Sequence, residues 1–189
     1  LKRWDSLVSG WWAWGQCAFL FGAATGGLLF GRLGDRWGRS KAMSLSILTY
    51  SILSAAAATA NEPWQLLLLW YLACTGVGGM WPNGVALVSE AWSSLSRPMA
   101  AGIIGTSANI GIFLLSTLTA QVPVTPDSWR WILLVGAAPV VLGIVSLLSV
   151  PESPYWLATR RDQLAGVSKQ NSTWEVFGPR YVGITLVGI

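Results

Sequence analysis

Gly31-Arg32-Leu33-Gly34-Asp35-Arg36-Trp37-Gly38-Arg39-Ser40-Lys41 puts one acid and four bases into eleven residues, with long uncharged runs on both sides. Such a stretch reads as a tight turn at a membrane surface. Its glycines permit φ > 0 and close approach, Asp35 can face the positive N-terminus of the helix that follows, and the arginines can pair with carboxylates across a bundle. Working outward, the apolar runs are 11–31 and 42–60 on either side of it, then 64–88, 99–120 and 131–150. All 20 charged residues fall outside these five runs. A run of about 20 residues at ~1.5 Å per residue crosses a hydrocarbon core of ~30 Å.

The composition agrees. Of 189 residues 53% are hydrophobic and only 11% charged, with a mean hydropathy of +0.52, which excludes a soluble enzyme and predicts an all-α polytopic membrane bundle. The absence of histidine excludes His-based triads and His-containing zinc sites within the chain, and no metal site or cofactor is expected. Cys17 and Cys74 each sit in an apolar run and suggest neither a disulfide nor a cluster. The chain opens without methionine or a signal-peptide pattern and closes inside a fresh apolar run, 181–189, so it reads as a fragment.

Short connections make neighbouring spans antiparallel. Counted by alternate sides, nine bases (Arg32, Arg36, Arg39, Lys41, Arg97, Arg160, Arg161, Lys169, Arg180) face three (Lys2, Arg3, Arg130), which puts the first group in the cytoplasm. The net charge of +4 thus reflects topology, and no nucleic-acid partner is expected. Most of the thirteen tryptophans fall at span ends, where indoles anchor at the interface. Gly22-x-x-x-Gly26 and Gly27-x-x-x-Gly31 predict close helix contact along the first span, and Pro82 predicts a bend in the third.

The opening stretch strongly resembles the loop G-x-x-x-D-R-x-G-R between the second and third helices of the major facilitator superfamily, in spacing, residue types and membrane position. The resemblance continues in order along the chain. Glu90 and Arg97 are similar to the pair that precedes the fifth helix in sugar porters and related organic-acid symporters. The segment from Gly78-Gly79-Met80-Trp81-Pro82 to Glu90-Ala91-Trp92 is similar to relatives that transport sialic or aromatic acids. Pro151-Glu152-Ser153-Pro154-Tyr155-Trp156-Leu157 is similar to the P-E-S-P-R-W-L that closes the sixth helix. The resemblance implies that residues 1–157 are helices two to six of the amino-terminal half of a twelve-helix transporter, with helix one missing. Residues 158–180 would be the cytoplasmic linker between halves and 181–189 the start of helix seven. The chain departs from the pattern at Trp70 and Tyr155, where relatives carry arginine, at Met80, where an acid is common, and at Gly105, where sugar porters place a glutamine.

By this resemblance Asp35, Arg36, Arg39, Glu90, Arg97 and Glu152 form a cytoplasmic gate that biases outward- against inward-facing states. No Asp, Glu, Lys or Arg lies inside a span, so candidates to touch a solute are neutral: Gln16 in the first span, Trp70, Trp81 and Asn83 in the third, Thr106 and Asn109 in the fourth. The expected activity is secondary transport of a small organic solute by alternating access, an organic acid of sialic or aromatic type, with protons as coupling ion implied by resemblance alone. The expected partners are that solute, the lipid bilayer of a bacterial inner membrane and the missing carboxy-terminal half. The alternatives are a facilitator of sugars or other metabolites, a non-transporting sensor or structural protein, and an intramembrane transferase, for which Asp35 with Glu90 is the only conceivable acid pair.

Overall fold

A computed structural model of the chain describes residues 2–92 and 96–165, except the side chains of residues 2–7 and of Arg97. Seven helices follow in order: α1 (Lys2–Trp37), α2 (Arg39–Ala57), α3 (Pro63–Ala91), α4 (Arg97–Gln121), α5 (Arg130–Ala137), α6 (Val140–Ser149) and α7 (Pro154–Leu164). No strand occurs among the described residues. The chain divides into two compact units, Leu1–Trp156 and Leu157–Ile189. The first holds α1 to α6 with the first turn of α7. In the second, the described residues continue α7, while 166–189, with most of the expected linker and the start of helix seven, lie outside the described residues.

The burial pattern is that of a membrane bundle. Leu20, Phe21, Leu28, Ile112, Phe113 and Leu148 are exposed, whereas the buried positions are mainly small: Ala42, Ala57, Ala73, Cys74 and a set of serines. Lipid tails are as apolar as leucine, so nothing drives large apolar side chains inward; close backbone approach and interhelical hydrogen bonds bind the helices instead. Three spans, Val8–Trp37, Pro98–Gln121 and Arg130–Ser149, are both long and apolar enough to cross a membrane. α2 and α3, at 19 and 29 residues, have the length. They fall short in hydropathy because their inner faces carry Ser40, Ser44, Ser46, Ser51 and Ser54 on α2, and Gly76, Gly79 and Asn83 on α3.

α3 is the central element, packed along both α1 and α2. Gly22 and Gly26 make the first contact possible: a Cβ on Gly22 would stand 2.6 Å from the Tyr71 carbonyl oxygen, and one on Gly26 would overlap the backbone of Thr75. α2 is joined to α5 and α6 by hydroxyls. Ser54 Oγ donates to Leu133 O (3.0 Å), Ser44 and Ser146 share a hydrogen bond (2.9 Å), and Ser40 Oγ donates to Val150 O (3.0 Å). At the far end Arg130 caps α2, its Nε donating to Ala58 O (2.9 Å) and an Nη to Ala60 O (3.2 Å), with the guanidinium 4.8 Å from the Trp129 ring centroid. A cation there also meets the negative end of the helix dipole.

Three expectations gain detail. The expected tight turn is reduced to one residue, because α1 runs through Asp35 and Arg36 to Trp37 and α2 starts at Arg39. Only Gly38 breaks the helix, with φ 114° and ψ 151°. The fifth span is two helices, since Pro139 lacks an N–H and the chain bridges Ala138–Pro139 with a tighter bond from Ala138 N to Val135 O (3.1 Å). Pro82, by contrast, lies inside a helix that continues to Ala91, and the Asn83 side chain ties the following turn back by donating to Gly79 O (2.9 Å).

Candidate functional site

The end of the bundle that carries Gly38 gathers most of the expected gate residues. Because only one residue separates α1 from α2, Asp35 and Arg39 are four apart across the break and form an ion pair at 2.9 Å. Asp35 is 58% exposed, so this pair contributes at most about 1 kcal/mol. Arg39, 24% exposed, also approaches Glu90, 11% exposed, at 3.7 Å between Nε and Oε1. That distance is an ion pair but not a hydrogen bond, and Nε has no acceptor among the described residues.

Glu90 has a closer partner than arginine. The Ser153 hydroxyl donates to its Oε2 at 2.6 Å, within the range for O–H to a carboxylate. The same hydroxyl accepts from Trp156 N (3.2 Å), so Ser153 caps α7. Trp156 in turn donates its indole N–H to the Asp35 carbonyl (3.0 Å), closing a ring of contacts through α1, α2, α3 and the start of α7.

Glu152 takes the place at the N-terminus of α2 that Asp35 was expected to hold. Its Oε1 accepts from Ser40 N and from Ser153 N, both at 3.1 Å, and so neutralises one of the orphan donors of the first turn of α2. Its Oε2 is buried without a donor among the described residues, in the space a Cβ on Gly38 would fill. Asp35 pairs instead with Arg39 because α1 is helical to Trp37 and carries the carboxylate alongside α2. Arg36, in the last turn of α1, is exposed and makes no ion pair among the described residues. Arg97 is the first residue of α4, and its side chain lies outside the described residues. Tyr155, at the arginine position of the signature, is exposed.

Ser153 was missed in the sequence although it left a signal. Serine before a proline is a helix N-cap signature, with Pro154 at the first helical position and the hydroxyl aimed at the N–H of the third. Its bond to Glu90 spans 63 residues and had no local signal.

The candidate solute residues are scattered. Asn83 is fully buried (0%) between α1 and α3, with Nδ2 donating to Phe30 O (3.0 Å) and Gly79 O, and Oδ1 unpartnered among the described residues, against Gly34. This placement holds two helices together. Trp81 is exposed on α3 and lies against Gly105 of α4, where a Cβ would meet its ring at 3.4 Å. Thr106 and Asn109 are exposed on α4, each bonded to its own helix: Thr106 Oγ1 to Gly102 O and Asn109 Nδ2 to Gly105 O, both 2.9 Å. Gln16 is exposed on α1. Trp70 lines a 340 Å³ cavity with Trp11, Gly15, Leu66, Trp129 and Leu133, at the end away from Gly38.

Comparison with known proteins matches residues 3–187 to the family model described as Major Facilitator Superfamily. A gallate transporter of Pseudomonas putida is 32% identical over 76% of this chain and 32% of its own length. A gentisate transporter of Corynebacterium glutamicum is 26% identical over 98% of this chain and 42% of its own. Among solved structures, the xylose transporter of E. coli in an inward open conformation superimposes with a TM-score of 0.66 at 18% identity, covering 92% of this chain and 44% of that one. The chain therefore spans a third to under half of the length of these relatives.

Proposed function

The chain belongs to the Major Facilitator Superfamily, and from that premise we propose that it forms most of the amino-terminal half of a secondary transporter working by alternating access on a small organic acid. The relatives named for gallate and gentisate support an aromatic acid as the solute class. Residues 158–180 would link this half to a second one beginning near 181, and the Gly38 end, with the excess of Lys and Arg, would face the cytoplasm.

The observation that carries the proposal is the cluster at Gly38. Arg39 stands between Asp35 and Glu90, Glu90 is bound by Ser153, and Glu152 is set on the N-terminus of α2. Four helix ends are thereby tied by contacts of small individual worth. A gate needs no more, because ~1.4 kcal/mol changes the ratio of two states tenfold. Asp35 and Glu90 both approach Arg39, an arrangement that suits ion pairing better than transferase chemistry. We assign Trp70, Trp81, Thr106 and Asn109 to the solute path and place Asn83 among the residues that hold α1 to α3.

Uptake by the full-length protein in its native type of membrane tests this. Labelled gentisate and gallate are expected to accumulate above the empty-vector level and to stop accumulating with a protonophore, which is the test of proton symport. Accumulation of xylose but of neither acid would favour the sugar facilitator. Binding of an acid without flux would favour the sensor and overturn the proposal.

A further inference from the structure

Ser153 is 1% exposed and makes three hydrogen bonds, two within its own turn and one across the bundle end to α3. Its N–H goes to Glu152 Oε1, its hydroxyl proton to Glu90 Oε2, and a hydroxyl lone pair to Trp156 N. A hydroxyl has one proton, and it is committed to Glu90 at 2.6 Å, while Arg39 Nε stands 3.7 Å from the other oxygen of the same carboxylate. Of the two contacts, only the one from Ser153 has hydrogen-bond length. We propose that Ser153 is the positioning residue of the cluster: its hydroxyl holds Glu90 at ion-pair distance from Arg39 and short of a hydrogen bond, while capping α7, so that the ion pair and the first turn of α7 change together.

The functional consequence rests on the gate reading above, but the link itself does not. Among the described residues, the charged groups around the Ser153–Glu90 bond are Glu90 from α3, Glu152 from Ser153's own turn, Arg39 from α2 and Asp35 from α1. Two substitutions separate the two roles of the hydroxyl. Ser153→Thr keeps both the cap and the donor. Ser153→Asp keeps the cap, since aspartate caps helices as well as serine does, but it sets a second carboxylate on Glu90.

The opposite signs of these effects give the test, read on full-length protein in detergent by thermal melting from about pH 7 to about pH 5, above the ordinary carboxylate range. If Ser153 faces Glu90 as proposed, the carboxylate introduced by Ser153→Asp repels Glu90 when both are ionised, and the two share a proton as pH falls. The melting temperature of Ser153→Asp relative to Ser153→Thr should then rise as pH falls, and the rise should vanish in a Glu90→Gln background. An aspartate acting only as a cap stabilises when ionised, so its relative melting temperature would fall or stay flat in both backgrounds; that result overturns the proposal. The expected pH response together with unchanged uptake in Glu90 variants would leave the Ser153–Glu90 link standing and remove the gate reading instead.

Discussion

At Gly38 the backbone lies at φ 114° and ψ 151°, a region that only glycine occupies without strain, and Glu152 Oε2 fills the space beside its Cα. This one residue lets α1 and α2 reverse without a loop, and so sets Arg39 against Asp35 and Glu90. Gly38→Ala would add a backbone strain of about 1–3 kcal/mol and push Glu152 off the N-terminus of α2. We expect a lower melting temperature for the full-length protein and a loss of monodisperse material on size exclusion, whereas a variant as stable as the wild type would show that the turn has another solution. The sequence marked Gly38 as one glycine of several in a charged stretch. It did not distinguish it from Gly31 and Gly34, because conformation at a single residue depends on where the two helices stop. Glu152 illustrates the same limit from the other side: its acceptor role toward Ser40 N spans 112 residues, and no local pattern encodes it. Ser153 is the intermediate case, with its cap visible in Ser-Pro and its bond to Glu90 not.

At the scale of the helices, the five uncharged runs located the helices, three of which are also apolar enough to cross a membrane. Their ends were less legible. α1 extends through the charged stretch to 36 residues, about 54 Å at 1.5 Å per residue, since arginine and aspartate are compatible with helix once their side chains reach water. The fifth span breaks at Ala138–Pro139, where proline chemistry outweighs a continuous apolar pattern. The glycine spacing of α1 predicted a close contact without naming its partner, and α3 is that partner. The two glycine pairs are not equivalent, which gives an element-scale prediction. Gly26→Leu, with the Thr75 backbone in the way, should separate α1 from α3 and abolish folded protein in detergent. Gly31→Leu, with nothing within 4 Å of its Cβ, should leave yield and melting temperature near those of the wild type. Equal loss, or equal tolerance, in expression and size-exclusion profiles would contradict the packing described here.

For the whole molecule, family and architecture were legible because motifs recur in order along the chain, and the family model covers residues 3–187. The solute path was not. Its candidates were chosen by residue type and helical face, and the structure sends Asn83 into the α1–α3 seam while leaving Thr106 and Asn109 on an open face of α4. The relatives that align with these faces are two to three times as long as this chain. If the cluster at Gly38 governs an equilibrium between transport states, Glu90, which meets both Arg39 and Ser153, is the residue at which a substitution should disturb it. The measurement is initial-rate gentisate uptake by full-length Glu90→Arg beside the wild type at matched membrane abundance. Insertion should be normal and uptake reduced by about tenfold or more, the change that ~1.4 kcal/mol produces in a two-state ratio. Unchanged kinetics at full abundance would contradict it.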